Sequence, residues 1–410
     1  MQTIEALKER ARQALDKEAT LGEDIRLDDY ELAAMPHRYL VEEEFCELPE
    51  EEQKRLTLAG MDVTGQERSG TYFQKDASVV HCSIKQEGIE IIPIKRALVE
   101  KEYDWIWDYY STLVPVDTDK YTASAELNLH DGYVIRALPG AKSVLPVQAC
   151  LYIDQSGFQQ NVHNILVAEE GSELHVISGC STGPHLERGL HIGISEFFVH
   201  ENAKMSFTMV HNWAAEMVVR PRSVARVEKG GVFTSNYIAM EPCKSLQMYP
   251  TTHLEGEDAV ARFYTIIAGS PGSVYDAGGR VYLKKPGTRA EIVARAISNG
   301  ARVVARGHLI GQAPDIKAHL ECRGLLLNGG VVHAVPELEG QVDGVEMSHE
   351  AAVGKIAEGE IQYLMSRGLT EDEAISTIVR GFLNVDIPGL PPALQAQIDH
   401  AVDLSDKEAL

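Results

Sequence analysis

The sequence predicts a mainly β protein, with a stacked solenoid core between an N-terminal and a C-terminal α-helical region, and three observations carry that reading. From about residue 123 to 345, short apolar or β-branched runs succeed one another, including Leu174-His175-Val176-Ile177-Ser178, Phe207-Thr208-Met209-Val210, Val232-Phe233-Thr234 and Arg302-Val303-Val304-Ala305. Small turn residues precede such runs at Gly140, Gly171, Ala203, Gly230, Gly256 and Gly287, spaced by 31, 32, 27, 26 and 31, and Gly300 and Gly329 continue more loosely. Helical periodicity is confined to the two ends. A loose fixed period is the mark of a solenoid, in which each rung buries its strands against its neighbours. A large β-sandwich would also give many short strands with turn signals, but the sequential recurrence favours stacked rungs.

The N-terminal region, 1–122, reads as mostly helical with a short strand pair near 72–94. Residues 3–18 place Ile4, Leu7, Ala11 and Leu15 on one stripe among charged residues, as a docked amphipathic helix does. A second helical stretch over 98–113 carries Trp105, Trp107, Tyr109 and Tyr110, and Pro115 closes it. The β core is assigned to 123–345 and the C-terminal helical region to 346–410. There Thr370 and Glu373 form a capping box, and Ile375, Ile378, Val379, Phe382 and Leu383 follow one helical face. Gly368 closes the preceding helix, which carries Ile361, Leu364 and Met365, so the two form a hairpin. Pro388, Pro391 and Pro392 separate it from a last amphipathic piece with Leu394, Ile398 and Val402.

At 410 residues the chain is long enough for a large core. A net charge of -23 argues against binding nucleic acid or an anionic membrane, both of which need basic patches. The first ten residues are charged where a secretory signal is apolar, and no apolar run reaches the roughly 20 residues of a membrane helix, so a cytoplasmic location is expected. The cysteines Cys46, Cys82, Cys150, Cys180, Cys243 and Cys322 lie far apart, with no C-x-x-C pair. His81-Cys82, and Cys243 near His253, lack a second ligand pair at zinc spacing. Neither G-x-x-x-x-G-K-[ST] nor a strand-bound G-x-G-x-x-G occurs, so no nucleotide site is expected in this chain.

The most informative segment runs from Cys322 to Leu383. It places the thiol of Cys322, the imidazole of His349 and the carboxylate of Glu350 near the last strands, and these are ligand types that iron and sulfide chemistry uses. On the residues alone, Cys322 is also readable as a core thiol and Ser348-His349-Glu350 as a polar helix start. The pattern Cys322-x-Gly324-Leu325-Leu326-Leu327-x-Gly329, then His333-Ala334-Val335-Pro336, Ser348-His349-Glu350-Ala351 and Gly359-Glu360-Ile361-Gln362-Tyr363-Leu364-Met365-Ser366-Arg367-Gly368-Leu369, resembles the C-terminal signature of the SufB/SufD iron–sulfur cluster assembly scaffolds. Weaker similarity reaches back through His211-Asn212-Trp213 and Leu113-Val114-Pro115 to about residue 65.

That resemblance implies a right-handed parallel β-helix core and a scaffold, not an enzyme, that accepts sulfur and iron and holds a transient iron–sulfur cluster. It matches Cys322 to the cluster thiolate, with His349 and Glu350 as nearby ligands. The histidine is matched in SufB and SufD chains alike, whereas the cysteine and glutamate are of the SufB type. One chain carrying all three implies a homodimer and a compact single scaffold, without the clustered N-terminal cysteine motif of some longer SufB proteins. Cys180, read from its context as a loop-edge thiol, is matched to the sulfur acceptor from which sulfur passes along the β-helix to Cys322. The implied partners are a SufC-type ATPase, which alone would bind ATP, a sulfur donor and apo-protein acceptors. The ATPase would dock on the hairpin through Ile361, Leu364, Ile375, Ile378 and Phe382. Two other classes stay open: a β-helix carbohydrate lyase or hydrolase, which needs an acidic or basic cluster along one face, and a purely structural ATPase adaptor.

Overall fold

Main-chain pairing between successive turns builds the molecule. In the computed structural model, which describes residues 3–383, a parallel β-helix of about eight turns lies between helices at both termini. One wall is a ten-stranded sheet and the other an eleven-stranded sheet. In the ten-stranded sheet the strands Val147–Ile153, Glu173–Thr182, Lys204–Asn212, Val232–Ala239, Val260–Gly269, Arg289–Asn299, Ile316–Leu327 and Val345–Gly354 follow one another, each parallel to the next. Equivalent residues therefore stack in columns whose side chains share a face. One inward column runs Phe233, Ala261, Ala290, Ala318.

The sequence period has a backbone cause. One corner of each turn is a residue with positive φ: Gly140 (72°), Gly171 (67°), Asn202 (57°), Gly230 (64°), Asp258 (59°), Gly287 (75°), Asp315 (58°) and Gly344 (82°). Glycine, asparagine and aspartate reach this region at least cost. The corners are also bonded along the stack, since Gly140 N donates to Glu170 O (2.9 Å), Gly171 N to Glu201 O (2.9 Å) and Asn202 N to Lys229 O (2.8 Å). The turn residues expected at Ala203 and Gly256 thus lie one and two positions from the true corners, Asn202 and Asp258. Gly300 and Gly329 belong to a different corner of the coil.

The N-terminal region caps and flanks this stack. It contains three strands where a pair is expected, Gly70–Lys75, Ser78–Ile84 and Ile89–Pro93. The first extends the ten-stranded sheet in parallel beside Val147–Ile153, and the second closes that edge antiparallel. The first helix is shorter than the 3–18 stripe, spanning Ile4–Gln13, with Leu7 and Ala11 buried and Leu15 39% exposed beyond its end. The aromatic stretch forms a 3-10 segment, Lys101–Asp108. Its continuation is fastened by one buried carboxylate. Glu196, fully buried, accepts hydrogen bonds from the backbone N–H groups of Ser111 (2.7 Å), Leu113 (2.5 Å) and Val114 (3.0 Å), and its Oε2 lies 2.7 Å from His163 Nε2.

At the other end the last strand, Val345–Gly354, runs well into the residues expected to be helical. Ala351-Ala352-Val353 suits a helix by propensity, but ladder bonds to Ile316–Leu327 prevail, as tertiary pairing commonly overrides local preference. Two helices follow, Glu358–Ser366 and Glu371–Leu383. The second starts at the expected capping box: Glu373 N donates to Thr370 Oγ1 (3.3 Å) and Thr370 N to a Glu373 carboxylate oxygen (2.8 Å). The expected amphipathic piece with Leu394, Ile398 and Val402 lies outside the described residues. No helix among those described is long and apolar enough to cross a membrane.

Replacing Glu196 with Ala strips three N–H groups of their acceptor, those of Ser111 and Val114 buried and that of Leu113 partly so. The expected loss is about 3–5 kcal/mol of stability, read as a lower urea midpoint, with Glu196→Gln recovering part of it. A midpoint equal to wild type would show that the Ser111–Val114 segment does not depend on this anchor.

Candidate functional site

Strand alternation decides which candidate side chains meet. In Ile316–Leu327, Leu320 and Cys322 point into the packed interior, Leu320 fully buried and Cys322 1% exposed, and Glu321 points to the outer wall. On the next strand His349 is in register with Leu320, Glu350 with Glu321, and Ala351 with Cys322. His349 therefore shares the inner face with Cys322, and Glu350 stands on the outer face. His349 is nonetheless exposed, because no strand among those described stacks on Val345–Gly354. The three residues do converge on the final two strands, but around both sides of one sheet. His349 and Glu350 sit within a strand and not at a helix start.

The inner and outer surroundings differ in charge. Burial pushes the Cys322 thiol up to about 11, helped by neighbouring Glu321 and opposed by Arg295. The resting group is thus a neutral thiol, whereas ligation needs the thiolate. Outside, Glu321 is clamped by Arg295 Nη2 (2.7 Å) and Arg323 Nε (2.6 Å). This clamp offsets the like charge of Glu350 beside it. Glu350 lines an open cleft of about 640 Å³ with Arg323, Gly324, Lys355 and Phe382. Among the described residues no group of three or more His, Cys, Asp or Glu side chains is arranged to hold a metal ion.

Cys180 is not a loop-edge thiol. It lies inside the strand Glu173–Thr182, fully buried in the main core, and burial drives its pKa far up. The polar run after it is the turn, and the cysteine itself belongs to the ladder. Its inward column is Leu151, Cys180, His211, Ala239, and the neighbouring column of Cys322 contains Ser178, Met209, Tyr237, Thr265 and Ala294. The two thiols thus face the same interior on the same sheet, five ladder steps or roughly 24 Å apart.

Between them lies a polar group that periodicity alone does not reveal. Tyr237 Oη is 2.8 Å from His211 Nδ1, and burial holds the His211 pKa far below the usual imidazole range, so the ring is neutral. His211 Nε2 and Trp213 Nε1 are buried without a hydrogen-bond partner. His191 packs 5.1 Å from the Trp213 ring and is bonded to Gln160 Oε1 (3.0 Å). The only signal for this group in the chain is the tripeptide His211-Asn212-Trp213 itself. In the discounted metal pairs, His81 bonds Leu40 O (2.9 Å) and Ser83 Oγ (2.8 Å), and Cys243 is in the core whereas His253 stacks on Tyr282 at 4.8 Å.

The hairpin presents less apolar surface than its sequence suggests. Val379 and Leu383 are buried against Ile266, Val293, Ile297 and Leu325 of the β-helix wall, and Ile375 and Phe382 pack around them. Two of the five residues expected to dock the ATPase, Ile375 and Phe382, are thereby used within the chain. Ile361, Leu364 and Ile378 are partly buried, and Tyr363 (57%) and Met365 (41%) are the exposed apolar residues of the first helix.

Residues 151–382 match the family model described as SUF system FeS cluster assembly, SufBD core domain. An iron-sulfur cluster assembly SufBD family protein of Archaeoglobus fulgidus is 49% identical over 360 residues, covering 88% of this chain and 96% of that protein. A SufBD family protein of Methanothermobacter thermautotrophicus (strain Winter) is 47% identical over 405 residues, covering 97% and 98%. A more distant one from Pyrococcus horikoshii is 29% identical over 370 residues, covering 88% and 82%. With a parallel β-helix between helical ends and a cysteine and a histidine on its last inner face, the chain belongs to the SufBD family of iron–sulfur cluster assembly proteins.

Proposed function

We propose that this chain is a scaffold on which sulfur and iron are joined into a transient cluster at the open end of the β-helix. The observation that carries it is that Cys322 and His349 share the inner face of the last two strands of the ten-stranded sheet, the outermost of which has no further neighbour among the described residues. Two ligands on one face leave a cluster short of donors. A second copy meeting this edge about a two-fold axis would double both, which supports a homodimer joined through the C-terminal ends of the β-helices. Glu350, across the strand, would serve as the entry ligand for iron from the outer cleft. A hard carboxylate suits incoming iron, and thiolate suits the iron–sulfide product.

Sulfur would be accepted at Cys180 from a donor's cysteine persulfide, the donor thiolate leaving as the sulfane sulfur moves to Cys180, and delivered to Cys322, where an external two-electron reductant would bring it to sulfide. Both thiols facing one interior supports this, and full burial of Cys180 requires the turn after Thr182 to open for the donor. Energy would come from a SufC-type ATPase seated on the helical hairpin, chiefly on the exposed face of Glu358–Ser366. Finished clusters would pass to apo-protein acceptors.

Anaerobic reconstitution with ferrous iron and sulfide, followed by absorption and Mössbauer spectra, tests the assignment. Cys322→Ala is expected to keep its fold and lose the cluster bands, since a single thiol contributes about as much packing as a small apolar group. Equal iron and sulfide content in mutant and wild type would sink the ligand role. Because the resting thiol must shed its proton, iron–thiolate formation in the wild type should strengthen about tenfold per pH unit between roughly pH 7 and 9, below its pKa. Cys322→Ser should flatten that slope, and an unchanged slope would assign the proton to another group.

Mixed dimers of Cys322→Ala and His349→Ala chains should regain part of the assembly that neither parent shows, and no gain over the parents would argue against a shared site. On the hairpin, Tyr363→Asp is expected to weaken co-purification with the ATPase about tenfold or more without lowering the unfolding midpoint. Phe382→Asp should lower the midpoint, because it puts a charge beside the apolar wall. The reverse pattern would move the docking surface off the first helix.

A further inference from the structure

A second surface feature lies on the same outer wall, one column from Glu350. A groove of about 430 Å³ crosses the strands Val260–Gly269, Arg289–Asn299, Ile316–Leu327 and Val345–Gly354. Its floor is the outer backbone at Ala261, Ala290 and Ala318, and its rims are two outward columns. One rim stacks Arg289, Lys317 and Glu346, and the other Arg262, Glu291, His319 and Ser348.

The charges of the rims do not cancel. Lys317 pairs with Glu346 at 2.9 Å, and Glu291 accepts the hydroxyl hydrogen of Tyr264 at 2.7 Å. His319 Nδ1 lies 2.9 Å from Ser348 Oγ. The guanidinium groups of Arg262 and Arg289, by contrast, make no hydrogen bond or ion pair among the described residues. A chain with net charge -23 has carboxylates to spare for its cations, yet two guanidinium groups flank one groove unpaired. A planar guanidinium fork suits two oxygens of a carboxylate or phosphate, and two forks on opposite rims suit a ligand with anionic oxygens at both ends.

We propose that this groove binds a compact polyanion, carrying two or more phosphate or carboxylate oxygens, between Arg262 and Arg289 on its two rims. The site is separate from Cys322 and stands independently of the scaffold reading.

Calorimetric titration of the full chain with pyrophosphate and, separately, citrate at about 50 mM and about 500 mM NaCl tests the proposal. At least one is expected to bind below millimolar concentration at low salt and more weakly at high salt, because exposed charges are screened. Arg262→Gln and Arg289→Gln should each weaken binding about tenfold or more, the loss of one charge-assisted contact, and Arg12→Gln, on the distant first helix, should leave it unchanged. Binding of pyrophosphate alone assigns the phosphate class, of citrate alone the carboxylate class, and of both their shared oxyanion chemistry. No sub-millimolar binding of either, or equal affinity in the Arg262, Arg289 and Arg12 variants, would overturn the site.

Discussion

Each strand of a parallel β-helix satisfies its main-chain groups only through the turn before it and the turn after it, so the stack contains no signal of its own to stop. The two ends of this chain meet that constraint differently. At the N-terminal end the hairpin of Gly70–Lys75 and Ser78–Ile84 closes the ten-stranded sheet, and Leu40 N in turn bonds Val80 O (2.7 Å) to cover the new edge. At the C-terminal end the strands Val331–Gly340 and Val345–Gly354 carry no further neighbour among the described residues, and most of their side chains are exposed. An exposed edge is a template for pairing with another chain, which natural folds usually blunt or cover.

The same ladder sorts chemistry by face. Inward columns are desolvated, which keeps Cys180 and Cys322 as thiols and His211 as a neutral ring. Outward columns keep charge, as in the Arg295–Glu321–Arg323 clamp beside Glu350 and the arginines of the groove. A residue one position along the strand changes compartment altogether. Cys322 and Glu321 are neighbours in sequence, yet one is in the core and the other is in an ion pair at the surface. The fold thus keeps a water-poor interior holding the thiols apart from a charged outer cleft lined by Arg323, Glu350 and Lys355.

The helical ends are held by a few specific contacts. Glu196 binds the Ser111–Val114 segment to the wall with both carboxylate oxygens, and Tyr110 stacks on His163 at 4.5 Å beside it. The C-terminal helix Glu371–Leu383 rests on the ten-stranded sheet through Val379 and Leu383, and among the described residues no element stacks on the Val345–Gly354 edge. The hairpin is thus anchored next to the candidate site without obstructing it.

What the sequence determined by itself follows from local, periodic physics. Recurring glycines marked the corners because a left-handed corner is needed once per turn, and Thr370 with Glu373 marked a helix start because a capping box is complete within four residues. The Cys322, His349 and Glu350 motif was likewise readable, through a family pattern and not through spacing. Only the tertiary structure decided which face each residue takes, since the register of Val345–Gly354 on Ile316–Leu327 puts His349 with Cys322 and Glu350 opposite. It alone placed Cys180 in the core, extended the last strand through Ala351-Ala352-Val353, and turned Ile375 and Phe382 toward the wall. Each of these depends on hydrogen bonds or packing between residues tens to hundreds of positions apart, for which a local pattern carries no signal.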